Sequence, residues 1–219
     1  MVGMTRAHIA DPHIIKKLRE GHAAQIRPCV GANYCIDREY NGLEVLCLHN
    51  AATGREVSIS HSIAKSKNRR HIIVVGGGPA GMEAARVSAE RGHVVSLFER
   101  NSVLGGQINL AAAAPSRDEM AGIVRWLESE LSRLAVNVHL GVNAEAEAIQ
   151  SSEPDIVVIA TGGLPKLDNN KAWGYTDGLT ISVEDVLSSR ISPASTVLIY
   201  DEIGGFTGAT CADFLAEAG

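Results

Sequence analysis

Three glycines, Gly76, Gly78 and Gly81, are spaced G-x-G-x-x-G. They follow the apolar run from His71 to Val75 and open an Ala-rich stretch beginning at Pro79 and Ala80. A turn of this kind between strand and helix does phosphate chemistry. The first glycine permits the tight turn, the second lets the main chain approach a pyrophosphate, and the third lets the helix pack on the strand. The helix N-terminus adds unpaired N–H groups and the positive end of a dipole. Glu99 closes the next apolar run, where a carboxylate accepts both hydroxyls of an adenosine ribose and disfavours a 2′-phosphate. Arg100 beside it reads equally as a cofactor contact or a surface charge.

Cysteine supplies a second constellation. Of four cysteines, Cys29, Cys35 and Cys47 fall in one short stretch. Four are too few for a disulfide scaffold in a chain of 219 residues, so metal or cluster ligation is the first reading. Cys211 lies far from them and reads as a buried small hydrophobe.

The elements that must position these groups follow from hydropathy periodicity. From His71 the chain reads strand, glycine turn, helix, a glycine stop at Gly92 and a second strand ending at Glu99, a βαβ unit. Residues 117–135 carry apolar side chains at helical spacing, and the run from Asp155 makes another buried strand. The expected class is α/β, a doubly wound parallel sheet of Rossmann-like, dinucleotide-binding type. Upstream, Val2-Gly3-Met4 reads as a stub of strand, and Asp11-Pro12 as the start of a helix ending near Gly21. That pair is expected to be an orphan βα unit over residues 1–26. Residues 27–70 form an irregular cysteine segment closed by the basic linker KSKNRR, residues 71–194 the dinucleotide-binding domain, and residues 195–219 the start of a second, truncated nucleotide-binding-like domain. In the last piece, the run from Ser195 predicts a strand, a Gly-containing turn and a helix. Asp201 and Glu202 precede that turn, and no Lys or Arg lies in the stretch, so a second pyrophosphate is disfavoured there.

The composition excludes several classes. With 45% hydrophobic and 21% charged residues the chain buries a core, and a formal charge of −5 gives no field for nucleic acid or an acidic membrane. The sequence shows neither a run of eighteen apolar residues nor a basic-then-apolar leader, so a cytoplasmic location is expected.

Gly105-Gly106-Gln107 and Ala160-Thr161-Gly162 follow the fingerprint in the order found in FAD-type disulfide-reductase-like modules, which this stretch resembles. Together with Gly3-Met4-Thr5-Arg6, Ile9-Ala10-Asp11-Pro12, Arg27-Pro28-Cys29 and Asn50-Ala51-Ala52, these motifs make the chain resemble the C-terminal part of the old-yellow-enzyme-like iron–sulfur flavoproteins. That family includes trimethylamine dehydrogenase, dimethylamine dehydrogenase and 2,4-dienoyl-CoA reductase, and the cysteine spacing is nearest to the methylamine-dehydrogenase type.

The resemblance implies an FAD or ADP site built from Gly76, Gly78, Pro79, Ala80, Gly81, Glu99, Arg100, Gly106, Gln107, Thr161 and Gly162. It implies that Arg6 lies near the phosphate of an FMN whose (β/α)8 barrel the chain lacks, so residues 1–26 stand for the last barrel unit. The chain is then expected to be a fragment that is inactive alone, with no catalytic residue of its own. The parent enzyme would demethylate a small N-methylated amine or amino acid oxidatively and pass electrons to a protein such as an electron-transferring flavoprotein, possibly as a homo-oligomer. The alternatives are NAD(P)H-dependent reduction of a dienoyl-CoA or enoate, and a non-catalytic nucleotide-binding scaffold.

The family sets four thiolates around its cluster, but Ala32 stands at the second position here. Three outcomes stay open for Cys29, Cys35 and Cys47: a three-iron cluster or a four-iron cluster with an outside ligand, an empty site, or zinc completed by His49.

Overall fold

The computed structural model describes residues 2–165, 180–189, 196–202 and 204–218. Four β-branched runs form a parallel sheet: β1 (His71–Val75), β2 (Val94–Glu99), β3 (Asn137–Leu140) and β4 (Ile156–Ile159). Its order is β3-β2-β1-β4, with Ile73 opposite Ser96 and Val157, and Phe98 opposite His139. The chain moves outward from β1 through β2 to β3, then returns to place β4 on the other side of β1. This reversal opens a crevice between the carboxyl ends of β1 and β4, the place where open α/β sheets bind ligands.

The helices, in chain order, are α1 (Arg6–Ala10), α2 (Ile14–Arg19), α3 (Tyr34–Tyr40), α4 (Pro79–Glu90), α5 (Gln107–Ala113), α6 (Ala121–Arg133), α7 (Ala146–Ser151), α8 (Val183–Leu187) and α9 (Phe206–Ala218). Pro79 at its first position lets α4 start without a wasted N–H, and Gly92 at φ +95° ends the turn behind it. The core lies between the sheet and α4 and α6: Ile72, Val74, Val95 and Leu97 meet Met82, Ala85, Ile123, Leu127 and Leu131. Arg133 on α6 binds Glu130 through two nitrogens and reaches Glu90 on α4 at 2.9 Å, which locks the two helices together.

Several expectations are corrected. Val2-Gly3-Met4 is not a strand, because no neighbour offers it a ladder among the described residues. The helix expected from Asp11-Pro12 begins only at Ile14, since Asp11 is extended and its carboxylate takes the His13 N–H at 3.0 Å. Ile14 is buried, but Ile15 and Leu18, expected on the same covered face, are exposed. The cysteine segment is not wholly irregular, for α3 crosses it. Residues 196–200 pair with nothing in the sheet, and Leu198 is exposed, so the apolar run there forms no described strand. Residues 166–179, within the expected dinucleotide domain, lie outside the described set, as do 190–195. No described helix is long and apolar enough to cross a membrane.

The first segment is tied to the cysteine segment through Asp11, 3% exposed. Its carboxylate accepts from the Arg27 N–H at 2.9 Å and from Lys17 Nζ at 2.5 Å. Burial alone would raise its pKa, but the Lys17 bond and the two backbone N–H bonds overcome this and hold it below the ordinary carboxylate value. The group therefore contributes stability above its unfolded pKa, and that contribution is lost as pH falls through the lower folded value. Asp11→Ala, which strands these donors, is expected to cost about 3 kcal/mol in urea unfolding at neutral pH. Asp11→Asn should flatten the wild-type loss of stability below pH ~4.

Candidate functional site

The glycine turn sits at the sheet's carboxyl edge because β1 ends there and α4 begins. A Cβ on Gly81 would fall inside the Gly76 carbonyl oxygen, and one on Gly76, at φ +107°, inside the Ala160 carbonyl oxygen. These two positions are packed against main chain and admit no side chain. Gly78 differs: a Cβ there would meet nothing within 4 Å, and its backbone is extended with φ −73°. Its open face is the space that an approaching phosphate would use, so the turn fits a pyrophosphate group. Pro79 carries no N–H, which leaves the Ala80 and Gly81 N–H groups as the first donors of α4.

Sequence reasoning missed Gly77. A Cβ on it would stand 2.5 Å from Leu104 Cδ2 and 2.9 Å from Glu99 Cβ, and its N–H donates to Glu99 Oε2 at 2.6 Å. Glu99 is 6% exposed, and its Oε1 takes the Asn101 N–H at 2.7 Å. Each oxygen keeps a further lone pair for a hydroxyl, so the carboxylate is fixed without being saturated. Only the extra glycine in the run from Gly76 to Gly78 signalled this packing in sequence.

The other loops close around the same crevice. The Gly105 N–H donates to the Gly77 carbonyl at 2.8 Å, and a Cβ on Gly106 would come within 3.1 Å of Gly78 Cα. Gln107, at the start of α5, donates through Nε2 to the Gly163 carbonyl at 3.2 Å and to Glu184 of α8 at 3.0 Å. This bridge carries the Gly106 turn to the loop holding Thr161 and Gly162, both exposed beyond β4. Arg100 is exposed past the end of β2. Arg6 does not join this site. It lies on α1, where Nη1 donates to Asn33 Oδ1 at 3.0 Å and the side chain lines a cleft with Cys29 and Glu119.

Cys29, Cys35 and Cys47 line one cavity with Ala32, and all three are free thiols. The loop between the first two turns through Gly31 at φ +63° and Asn33 at φ +56°, so Ala32 stands between two left-handed residues. Main chain of alternating hand makes concave anion cradles of the kind that hold iron–sulfur clusters. No set of three His, Cys, Asp or Glu among the described residues converges on one metal ion, which removes the zinc alternative. A cluster needs no such convergence, because each thiolate meets its own iron. His49 is turned away from ligation: Nδ1 lies 3.2 Å from the Pro28 carbonyl, the ring stands edge-on to Trp126, and burial, then Arg27, pushes its pKa down to about 4. Cys211 is 3% exposed on α9, and burial pushes its thiol pKa up.

In the second turn Asp201 accepts the Gly204 N–H at 3.0 Å, and a Cβ on Gly208 would come 2.7 Å from its carboxylate. The sequence found no cation there, yet Arg117 places its guanidinium 4.6 Å from the Phe206 ring. This is a correction to the reading of that stretch as uncompensated.

The model of the pyridine nucleotide-disulphide oxidoreductase family matches residues 70–219. The chain belongs to that family. The match of this pyridine nucleotide-disulphide oxidoreductase runs from just before β1 through α9. The N,N-dimethylglycine/sarcosine dehydrogenase of Chromohalobacter salexigens is 54% identical over all of the chain, and the probable N-methylproline demethylase of Rhizobium meliloti 51%. The solved 6-hydroxypseudooxynicotine amine oxidase of Pseudomonas geniculata N1 superposes on the whole chain with a TM-score of 0.92 at 30% identity. The chain spans about a third of each: 32%, 32% and 34%. The resemblance to demethylating flavoproteins drawn from the motifs is therefore met by homology.

The two kinds of glycine are expected to separate experimentally. Gly78→Val should keep the wild-type melting temperature and weaken ADP binding, read by calorimetry, by about 100-fold or more, as expected when a side chain blocks the phosphate's approach. Gly81→Ala should instead cost roughly 1–3 kcal/mol of stability by overpacking against Gly76.

Proposed function

We propose that these residues form the nucleotide-holding and electron-relaying part of a flavin-dependent oxidoreductase that oxidatively demethylates a small N-methylated amine or amino acid. The observation that carries the nucleotide part is the open face of Gly78 above a fixed Glu99 at the sheet's switch point. The substrate class is supported by the two demethylating relatives. In this reading Gly76, Gly78, Gly81 and the start of α4 hold the pyrophosphate of FAD or ADP, and Glu99 takes the ribose hydroxyls. Gly106, Gln107, Thr161 and Gly162 wall the crevice. Cys29, Cys35 and Cys47 hold an iron–sulfur cluster beside Arg6. When bound elsewhere in the enzyme, an FMN supplies the two-electron oxidation, and the electrons leave to a carrier protein.

Glu99 acts by orientation. Held by two backbone N–H groups, it has one position from which to meet a ribose, and its charge repels a 2′-phosphate. In the second turn the Gly204 N–H is already taken by Asp201, so a nicotinamide dinucleotide has fewer donors to bind there. Stopped-flow work on the intact enzyme tests the reading. Dimethylglycine, sarcosine or N-methylproline should bleach the flavin and release formaldehyde, whereas NADH and NADPH should leave it oxidised. Fast bleaching by either pyridine nucleotide, with none by the methylated amines, would replace the proposal by alkene reduction.

A further inference from the structure

We infer that the cluster in the cysteine cavity is open at one corner: it is anchored by Cys29, Cys35 and Cys47, and the iron facing Ala32 has no ligand from this segment. The inference rests on the reading of the cavity as an iron–sulfur site and adds its coordination and reactivity. A cluster-binding run of the ferredoxin kind spaces its first three ligands C-x2-C-x2-C. Residues 29, 32 and 35 have that spacing, with a methyl group where the middle thiolate would be. The fold keeps Ala32 on the cavity wall with the three thiols, so the middle position still faces the site.

Other candidates for the fourth ligand are placed elsewhere. His49 also lines the cavity, but its Nδ1 lies within hydrogen-bond distance of the Pro28 carbonyl and its ring packs on Trp126. Cys211 is buried on α9. Arg6 and Asn33 line the cavity and bond to each other at 3.0 Å, and neither is a thiolate. A fourth iron at this corner would be held by the cluster's own sulfides and by a solvent-derived or thiol ligand, which makes it removable. Its loss is an oxidation. A four-iron core of charge 2+ gives a three-iron core of charge 1+, one Fe(II) and one electron, and added ferricyanide takes the electron. Ferrous ion with a thiol reductant reverses the step.

The test uses the intact protein isolated without oxygen, with iron and acid-labile sulfide measured and paramagnetic resonance recorded before and after one equivalent of ferricyanide. The expected result is release of one iron per chain and appearance of the spin-½ signal of an oxidised three-iron core, both reversed by Fe(II) and dithiothreitol. Ala32→Cys should hold four irons and give no such signal under the same oxidant. If that variant fails to fold, Cys35→Ser should lose most of the iron from the site while the wild-type oxidation still decides the matter. A wild-type cluster that keeps all four irons through the oxidant would overturn the open corner while leaving the cluster reading intact. Protein with no iron or sulfide and three titratable thiols would overturn both.

Discussion

The closest backbone contact in the molecule, Gly81 against the Gly76 carbonyl with Gly76 against that of Ala160, is the constraint on which the rest depends. It lets α4 start directly over the end of β1 and lets β1 lie beside β4 with its turn pressed on the following loop. The sheet can then reverse direction at β1, and the reversal makes the crevice. Any side chain at either glycine would lift the helix from the sheet, and Glu99 would lose its place beside the Gly77 N–H. Packing and binding geometry are one feature here, since the approach that excludes a Cβ also aims the helix N-terminus into the crevice.

A second set of contacts fastens the cysteine segment to this frame. Trp126 on α6 donates to the Gln25 carbonyl at 3.3 Å and carries the Arg27 guanidinium 4.5 Å from its ring on one side, with Arg86 5.4 Å away. Both arginines lie near Glu83 of α4: Arg86 binds it at 2.7 and 2.8 Å, and Arg27 approaches it at 3.5 Å. His49 completes the joint as a neutral ring against Trp126, because burial and the neighbouring Arg27 disfavour its charged form. Val30 also enters the main core. The thiol cavity is thus held against α4 and α6 by packing as well as charge, which gives an electron-relaying centre a fixed distance from the nucleotide crevice.

The arrangement divides labour by polarity. The crevice is lined by main-chain donors and one fixed carboxylate, suited to phosphate and ribose. The cysteine cavity is lined by thiols, small residues and the side chains of Arg6 and Asn33. At the second turn, the carboxylate of Asp201 lies against the glycines that would otherwise face a phosphate, with Arg117 brought in from the α5–α6 connection.

The βαβ unit from His71 to Glu99 was legible in the sequence because its signals are local: β-branched strand, glycine spacing, helical periodicity and a carboxylate at the strand end. So were α6 and β4, whose apolar spacing needs no partner to be recognised, and the buried state of Cys211. β3 was not legible, because Asn137 and His139 break its pattern and it holds its place by pairing with β2 and by stacking His139 on Phe98 at 4.5 Å. The apolar run before Tyr200 looked like a strand, but a strand exists only where another offers its ladder, and none does among the described residues. Sequence fixed which residues could do chemistry: the glycines, Glu99 and three cysteines with Ala32 among them. Only tertiary structure decided that Gly77 packs on Glu99, that Gln107 bridges to Glu184, that Arg6 belongs to the cysteine side, and that Arg117 reaches the second turn. Each of these joins positions distant in the chain, and periodicity carries information only about neighbours along it.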